Sequence, residues 1–169
     1  MPVTGVVHET AGRPDATGSQ PRIQDGPLDL QGLISISARA DCGALACFEG
    51  VVRDHHDGRR VLRLTYTAHE RIADRLIREI EAEVAERHGV PFCRVVHRVG
   101  PLEIGEGAII AVVRSPHRAE AFAALEEVVD RVKHEVPIWK EEHYEDGTSA
   151  FVEGCSIAPD PTPAAKGEL

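Results

Sequence analysis

The chain has 169 residues, enough for one domain, and 42% of them are hydrophobic, which is enough to build a core although aromatic residues make up only 4%. Its 28 acidic residues outnumber the 19 basic ones, so the formal net charge is −9. This charge excludes nucleic acids and anionic membranes as partners of the whole surface. Any site for an anionic ligand must therefore be a local basic pocket.

The two ends of the chain differ in composition from its middle. Residues 1–20 are rich in Gly, Thr, Pro and Ala, and residues 158–169 contain three prolines. We therefore expect a flexible N-terminal extension over 1–20, a folded domain over 21–157 and a flexible tail over 158–169. The sequence shows no signal peptide, which predicts a cytoplasmic protein. Its four cysteines and nine histidines lack zinc-site spacing, so we expect no metal and no cofactor.

Apolar residues recur with two different periods along the domain. Spacings of three and four predict helices, whereas alternation and short apolar runs predict strands. Asp57-Gly58 predicts a tight turn that pairs the strands on either side of it as a hairpin. In chain order, the predicted elements are a strand over 22–24, a helix over 30–39, a buried strand over 44–52, a strand over 61–67, a helix over 69–88, strands over 93–99 and 107–114, a helix over 116–135, a strand around Lys140 and a strand over 150–155.

Strand pairs joined by tight turns alternate with helices in this order. Such an order predicts an α+β domain, in which helices pack on a largely antiparallel sheet. A ferredoxin-like sandwich fits the same pattern, and periodicity does not separate the two folds.

The start of the third long helix suits an anionic ligand. Ser115 can act as its N-cap, Pro116 suits the first helical position, and His117 and Arg118 follow at once. Unpaired N–H groups and the helix dipole favour phosphate or carboxylate at such an end. A capped surface helix without a ligand explains the same residues about equally well.

Two lysines flank the other end of that helix. Lys133 falls in the last turn, because Pro137 ends the helix near Glu135, and Lys140 falls on the strand that follows. Lysines in such places are ordinarily solvated, so their spacing alone does not mark them as catalytic. The predicted apolar face of the helix consists of Phe122, Leu125, Val129, Val132 and Val136.

Two further motifs place polar groups at strand ends. The run Phe48-Glu49-Gly50-Val51-Val52-Arg53 ends in a guanidinium that matches phosphate or carboxylate oxygens, and Gly50 indicates a close backbone approach or a bulge. In His97-Arg98-Val99-Gly100, alternation puts His97 on the same face as Val95. We therefore expect His97 to be a hydrogen-bonded structural histidine rather than a catalytic one.

Together these motifs resemble the molybdopterin synthase catalytic (large) subunit family. The resemblance rests on F-x-G-x-x-R at 48–53, H-R-x-G at 97–100, S-x-H-R at 115–118 and V-K-x-x-V-P-I-W-K-x-E at 132–142, and it spans residues 43–153. The chain departs from the family pattern at Thr65, Pro116, Phe151 and Cys155.

The resemblance implies a hammerhead-like α+β fold and a sulfurtransferase. Members of this family transfer sulfur from the C-terminal thiocarboxylate of a small ubiquitin-like carrier subunit to cyclic pyranopterin monophosphate, which forms the molybdopterin dithiolene of the molybdenum cofactor. The chain would be the homodimeric core of a heterotetramer with that carrier. The implied catalytic residues are Lys133, which would hold the carrier tail, and Lys140, which would move protons. The implied substrate-binding residues are Arg53, His117, Arg118 and Phe48.

Alternatives from other classes remain open. A scaffold that only docks the carrier, or a ferredoxin-like ligand-binding module, would keep the fold without the chemistry. Loss of one lysine or of the S-x-H-R unit would indicate such a protein, and the sequence retains both. A small phosphate-ester hydrolase using His117 would need a metal or a nucleophile, and the sequence motifs supply neither.

Overall fold

The computed structural model describes residues 20–152. The expected flexible ends, 1–20 and 158–169, lie outside the described residues except for residue 20. In chain order, the elements are β1 Ile23–Gln24, α1 Leu30–Ile36, β2 Ala44–Val51, β3 His55–His56, β4 Arg59–Ala68, α2 Glu70–His88, β5 Phe92–Arg98, β6 Gly100–Glu103, β7 Gly107–Ser115, α3 Arg118–Glu135, β8 Ile138–Tyr144 and β9 Ser149–Val152.

Local sequence explains where the helices begin and end, with one correction. Asp29 caps α1 by accepting a hydrogen bond from the Gly32 N–H, and Gly89 ends α2 in a left-handed conformation with φ of 62°. The predicted N-cap of α3 at Ser115 is wrong. Ser115 still pairs with Ala44 as the last residue of β7, so the chain remains extended there and His117 becomes the N-cap.

The first sheet has the order β1-β5-β7-β2 and forms the centre of the core. Strand β1 runs parallel to β5, and the other neighbours are antiparallel. Helices α2 and α3 cover one face, where they meet Ile109 and Val113 of β7, and α1 covers the other face, where it meets Ile110 and Val112. Strand β7 is therefore buried on both faces.

Strand β2 buries only one face, which corrects the expectation of a fully buried strand over 44–52. Ala46 lies in the core, whereas Leu45, Cys47 and Val51 on the opposite face are exposed. The reason is position: β2 is the last strand in the sheet order, and the short α1 packs on β7 rather than on β2. A run of apolar letters does not distinguish an edge strand from a central one.

The second sheet has the order β3-β4-β8-β9, with β6 also paired to β4. The predicted hairpin between strands 44–52 and 61–67 is wrong, because β2 pairs with β7 over its whole length and β4 pairs with β8. The Asp57-Gly58 turn instead joins the two-residue β3 to β4. Both turn residues have positive φ, 47° and 76°, as a tight hairpin turn requires.

The two sheets meet where β2 ends. The register of β2 shifts between Gly50 and Val51, and Val52 then enters the core of the second sheet beside Val61 and Leu64. A Cβ on Gly50 would lie 2.7 Å from Cγ2 of Ile109, so only glycine allows this approach. The close approach and the bulge are both present, and they turn the chain toward Arg53.

The face of α3 that packs on the sheet is built from smaller residues than expected. Its buried residues are Ala121, Ala124, Val128, Val129 and Val132, whereas Phe122 is 63% exposed. The predicted place of Phe122 in the core is therefore wrong. The expected α+β class, with helices on largely antiparallel sheets, is confirmed, although there are two sheets rather than one. Within residues 20–152, the helices are too short or too polar to cross a membrane.

Candidate functional site

A cavity of about 260 Å³ opens where the two sheets and the C-terminal end of α3 meet. Its apolar wall includes Ile109 and Val132, and its floor is the bulged backbone at Gly50. The polar residues that line it are Arg53, His55, Tyr66, His97, Lys133, Lys140 and Glu142. The structure thus brings together three of the predicted site residues, Arg53 and both lysines, from three separate elements.

The bend between α3 and β8 carries both lysines to this cavity. Lys133 follows the buried Val132 in the last turn of α3, and Val136 then adopts an extended conformation that ends the helix. Lys140 lies opposite Tyr66 of β4 in the sheet register, and both side chains line the cavity. Trp139, on the other face of β8, is 52% exposed.

Lys133 is exposed to solvent and stands over an aromatic ring. Its Nζ lies 5.2 Å from the centroid of the Phe48 ring, within the range of a cation–π contact. Phe48 packs against the main core beside Gly50 and does not line the cavity. The structure therefore links Phe48 to the cavity through Lys133.

Lys140 is held by a buried carboxylate. The Glu142 side chain is nearly inaccessible, and its Oε1 lies 3.0 Å from the Lys140 Nζ. Its Oε2 accepts hydrogen bonds from the Tyr144 hydroxyl at 3.0 Å and from Nδ1 of His56 at 2.9 Å. Burial alone would raise the pKa of Glu142, but the hydrogen bonds from Lys140 and Tyr144 outweigh burial and hold it below its ordinary value.

His97 is a neutral imidazole in the cavity wall. Its Nδ1 lies 2.8 Å from the carbonyl oxygen of Arg98, and because a carbonyl only accepts, Nδ1 carries the hydrogen and Nε2 is left as an acceptor. Burial lowers the pKa of His97 to about 4. The expected structural hydrogen bond is present, but the sequence did not reveal that this residue also lines the cavity beside Tyr66.

His117 and Arg118 lie far from the other predicted site residues. They stand at the first turn of α3, whereas Lys133 stands in its last turn, so at 1.5 Å per residue roughly 24 Å of helix separate them. Both side chains are exposed and neither lines the cavity. Within one copy of the chain, they do not share a site with the lysines.

Sequence reasoning missed four polar residues around Lys140: His55, His56, Glu142 and Tyr144. Alternation along β8 places residues 140, 142 and 144 on one face, so the pattern contained a signal for two of them. The histidines come from β3, a two-residue strand that pairs with β4, and no periodicity marks a strand that short. Among residues 20–152, no three His, Cys, Asp or Glu side chains come together in a way that could hold a metal ion.

Comparison with known proteins gives consistent matches. The family model described as MoaE protein matches residues 23–135, a segment that includes Arg53 and Lys133 and ends before Lys140. The molybdopterin synthase catalytic subunit of Bacillus subtilis (strain 168) is 39% identical over 121 residues, which cover 72% of this chain and 77% of the relative. The subunit of the same name from Nostoc sp. is 37% identical over 142 residues, which cover 79% and 85%.

A solved structure also superimposes on this chain. The X-ray crystal structure of molybdopterin synthase from Staphylococcus aureus aligns with a TM-score of 0.74 and 32% sequence identity. The alignment covers 78% of this chain and 96% of that one. The similarity in three dimensions therefore extends over nearly the whole of the other chain.

Proposed function

The chain belongs to the MoaE family, and we propose that it is the catalytic subunit of a molybdopterin synthase. It transfers sulfur from a thiocarboxylated small carrier subunit to cyclic pyranopterin monophosphate and so forms the molybdopterin dithiolene. The observation that carries this proposal is the convergence of Arg53, Lys133 and Lys140 on one cavity. That cavity lies in an acidic protein, yet three of its polar side chains are cationic.

The charges of the cavity suit the charges of the reactants. The substrate carries a cyclic phosphate, and the carrier tail carries a thiocarboxylate, so both are anions that Arg53 and the lysines attract. Each transfer replaces a carbon–oxygen bond of the substrate with a carbon–sulfur bond, the oxygen leaving as water or with the phosphate as its ring opens, and breaks the acyl carbon–sulfur bond of the carrier. The carrier is left with a carboxylate, whose new oxygen comes from water.

We assign different tasks to the two lysines because their surroundings differ. Lys133 is exposed and free to meet an extended tail, where its ammonium stabilises charge on the acyl oxygen during transfer. Lys140 is fixed by Glu142 in the cavity wall, where it donates and recovers protons as the cyclic phosphate opens. Phe48 positions Lys133 through the cation–π contact.

His117 and Arg118 fit this proposal only through a second copy of the chain. Their distance from the lysines along α3 excludes a shared site within one copy. We propose a homodimer in which the first turn of α3 of one copy supplies these cations to the substrate at the cavity of the other. The exposed Phe122 beside that turn offers apolar surface for such contact. With one carrier at each end, the assembly is a heterotetramer.

A cytoplasmic location is part of the proposal. Cys42, Cys47 and Cys93 are free thiols, and Cys47 is exposed. Exposed unpaired thiols suit a reducing compartment. Fractionation of cells that express the chain, with detection by antibody, tests the location.

The decisive experiment is single-turnover conversion of cyclic pyranopterin monophosphate by the full chain mixed with thiocarboxylated carrier. We expect product from the wild type and a loss of about 10²- to 10⁴-fold in Lys140→Ala and in Lys133→Ala, the range for a lost acid–base or electrostatic group. Arg75→Ala, which removes an exposed cation paired with Glu79 on α2, is the matched control and should retain activity. Carrier binding without product would favour a docking scaffold.

Mixing two inactive variants tests the shared site. If His117 and Arg118 act across the dimer, co-folded Lys133→Ala and Arg118→Ala chains form mixed dimers with one intact cavity, and part of the activity returns. If the residues act within one copy, every cavity in the mixture lacks one of them and no activity returns.

A further inference from the structure

His56, at the end of β3, is a residue beside the cavity to which the proposed reaction assigns no role. Its Nδ1 lies 2.9 Å from the Oε2 of Glu142, a residue 86 positions away in sequence, and its side chain is only 26% exposed. Because a carboxylate only accepts, Nδ1 must carry the hydrogen. We propose that His56 is a positioning residue, which holds the Glu142 carboxylate so that its other oxygen stays on Lys140.

The two carboxylate oxygens of Glu142 have different partners. Oε2 receives both His56 and Tyr144, whereas Oε1 faces the Lys140 ammonium. Two donors fix Oε2 from two different strands, β3 and β8, so the carboxylate plane is not free to rotate. With one donor removed, Oε2 is held only by Tyr144, which lies two residues away on the same strand, and rotation of the carboxylate can carry Oε1 away from Lys140.

The segment that contains His56 is held rigidly by contacts on both sides. Its backbone is paired with Arg59 across the Asp57-Gly58 turn. The Arg59 guanidinium lies 3.5 Å above the centroid of the Tyr144 ring, and it donates to Thr148 at 2.6 Å and to Asp146 at 3.0 Å in the β8–β9 turn. Two hairpin turns are thus tied to each other, and His56 is aimed at Glu142 from a fixed base.

His56 acts through hydrogen-bond donation at one defined atom, and this makes the proposal testable with near-isosteric variants. The amide nitrogen of an asparagine occupies nearly the place of a histidine Nδ1, so His56→Asn keeps the donor. His56→Asp has almost the same shape but presents a carboxylate to the buried Glu142 carboxylate, which repels it. The two variants have nearly the same shape and differ in the donor and in the charge that they place beside Glu142.

The experiment measures kcat and KM of both variants in the sulfur-transfer assay and so rests on the proposed function. We expect His56→Asn to remain within about threefold of the wild type, and kcat of His56→Asp to fall about tenfold or more with a smaller change in KM. His88→Gln and His88→Glu are the matched controls, because Nε2 of His88 pairs with Glu127 at 2.7 Å between α2 and α3, outside the cavity, and a glutamine amide nitrogen lies nearly at the place of Nε2. Both should leave kcat unchanged.

Crystal structures of the two His56 variants provide a measurement that does not depend on the reaction. We expect the Lys140 Nζ–Glu142 Oε1 distance to remain near 3.0 Å in His56→Asn and to lengthen in His56→Asp. An unchanged distance in both, or equal kcat values for the two folded variants, would overturn the proposal. An inactive wild type with the expected change of distance would instead refute the proposed function and leave the positioning role standing.

Discussion

Two buried glutamates in this molecule have similar partners and different surroundings. Glu81 of α2 accepts hydrogen bonds from the Arg22 guanidinium at 2.8 to 3.0 Å and from the Val95 N–H at 2.7 Å. Glu142 of β8 accepts from Lys140, Tyr144 and His56 at similar distances. Burial raises the pKa of Glu81 despite its arginine partner, whereas the donors around Glu142 keep its pKa low.

The difference lies in where the cation points. Arg22 is 4% exposed and turns its guanidinium inward, so that the pair ties β1, α2 and β5 into one scaffold. Lys140 is 20% exposed and lines the cavity, and an ammonium has three N–H donors, of which Glu142 uses one. We call Arg22–Glu81 the closed pair, because it is buried and stabilises the fold, and Lys140–Glu142 the open pair, because its ammonium keeps donors for a ligand.

The largest expected effect is the loss of stability when the Arg22–Glu81 pair is broken. Glu81→Gln removes the charge that compensates the buried Arg22, so we expect the free energy of unfolding to fall by about 3–5 kcal/mol. Urea denaturation measures it. Glu79→Gln, in an exposed pair with Arg75 on the same helix, should change stability by less than about 0.5 kcal/mol. A loss at Glu81 as small as that at Glu79 would show that the closed pair does not hold the scaffold.

His97 stands between the two regions, on a scaffold strand but in the cavity wall, and it predicts a pH dependence. The pKa of His97 is about 4 in the folded protein, where the ring is buried, and its ordinary value is 6.5. As the pH falls, the unfolded chain therefore takes up the proton first. The stability that the neutral ring contributes is present above pH 6.5 and falls as the pH drops toward 4, by about 3 kcal/mol. Urea denaturation at pH 7.5 and pH 4.5 measures this loss.

His97→Asn isolates that contribution, because its amide nitrogen lies nearly where Nδ1 was and keeps a donor for the Arg98 carbonyl but does not titrate. We expect the variant to lose much less stability between the two pH values than the wild type. His134→Gln, at an exposed histidine of α3, should retain the wild-type slope. Parallel slopes for all three proteins would mean that the pKa of His97 is the same in the folded and unfolded chains, so that burial of the ring does not shift it.

The sequence predicted the elements better than their pairing. Helical and alternating periods located α2, α3, β4 and β8 to within a few residues, because one-sided burial imprints those periods. The partner of β2 could not be found in this way, since pairing with β7 joins residues more than 55 positions apart while a nearer turn suggested β4. Ser115 failed as a cap for the same reason: its strand partner, Ala44, is distant in sequence.

The candidate site was predictable where residues belong to one continuous motif. The spacing of Lys133 and Lys140 across Pro137 fixed two lysines at one bend, and the structure places both in the cavity. The distance between His117 and the lysines followed from helix length alone and could have been noticed from the sequence. The pairing of His56 with Glu142 could not, because it depends on how two hairpins meet.

The open pair is expected to govern turnover rather than stability. Glu142→Gln keeps the shape of the side chain but removes the charge opposite Lys140, so we expect the single-turnover rate constant to fall about 100-fold. Because Lys140 can reach solvent, the loss of stability should be smaller than that of Glu81→Gln. The matched comparison is Glu81→Gln itself, whose folded fraction should turn over normally. A reversed result, with Glu81→Gln slow and Glu142→Gln merely unstable, would break the distinction between the two pairs.

The smallest expected effect on turnover is at Lys133. Its ammonium contacts the Phe48 ring, whereas the ammonium of Lys140 contacts the Glu142 carboxylate. Phe48→Leu keeps an apolar side chain but removes the cation–π contact, and at this exposed lysine we expect turnover to fall about two- to fivefold. Phe48→Tyr retains the ring and should turn over at about the wild-type rate.

Phe92→Leu is the control for this change, because the Phe92 ring also lies under a cation, with the Arg94 guanidinium carbon 5.5 Å from its centroid, but outside the cavity. Both leucine variants lose a ring and a cation–π contact, so both should lose similar stability, and only Phe48→Leu should turn over more slowly. If the two variants slow turnover equally, the effect is one of packing in the scaffold, and Lys133 needs no aromatic support. If Phe48→Leu alone is slow and Phe48→Tyr is not, the ring positions the lysine as the geometry indicates.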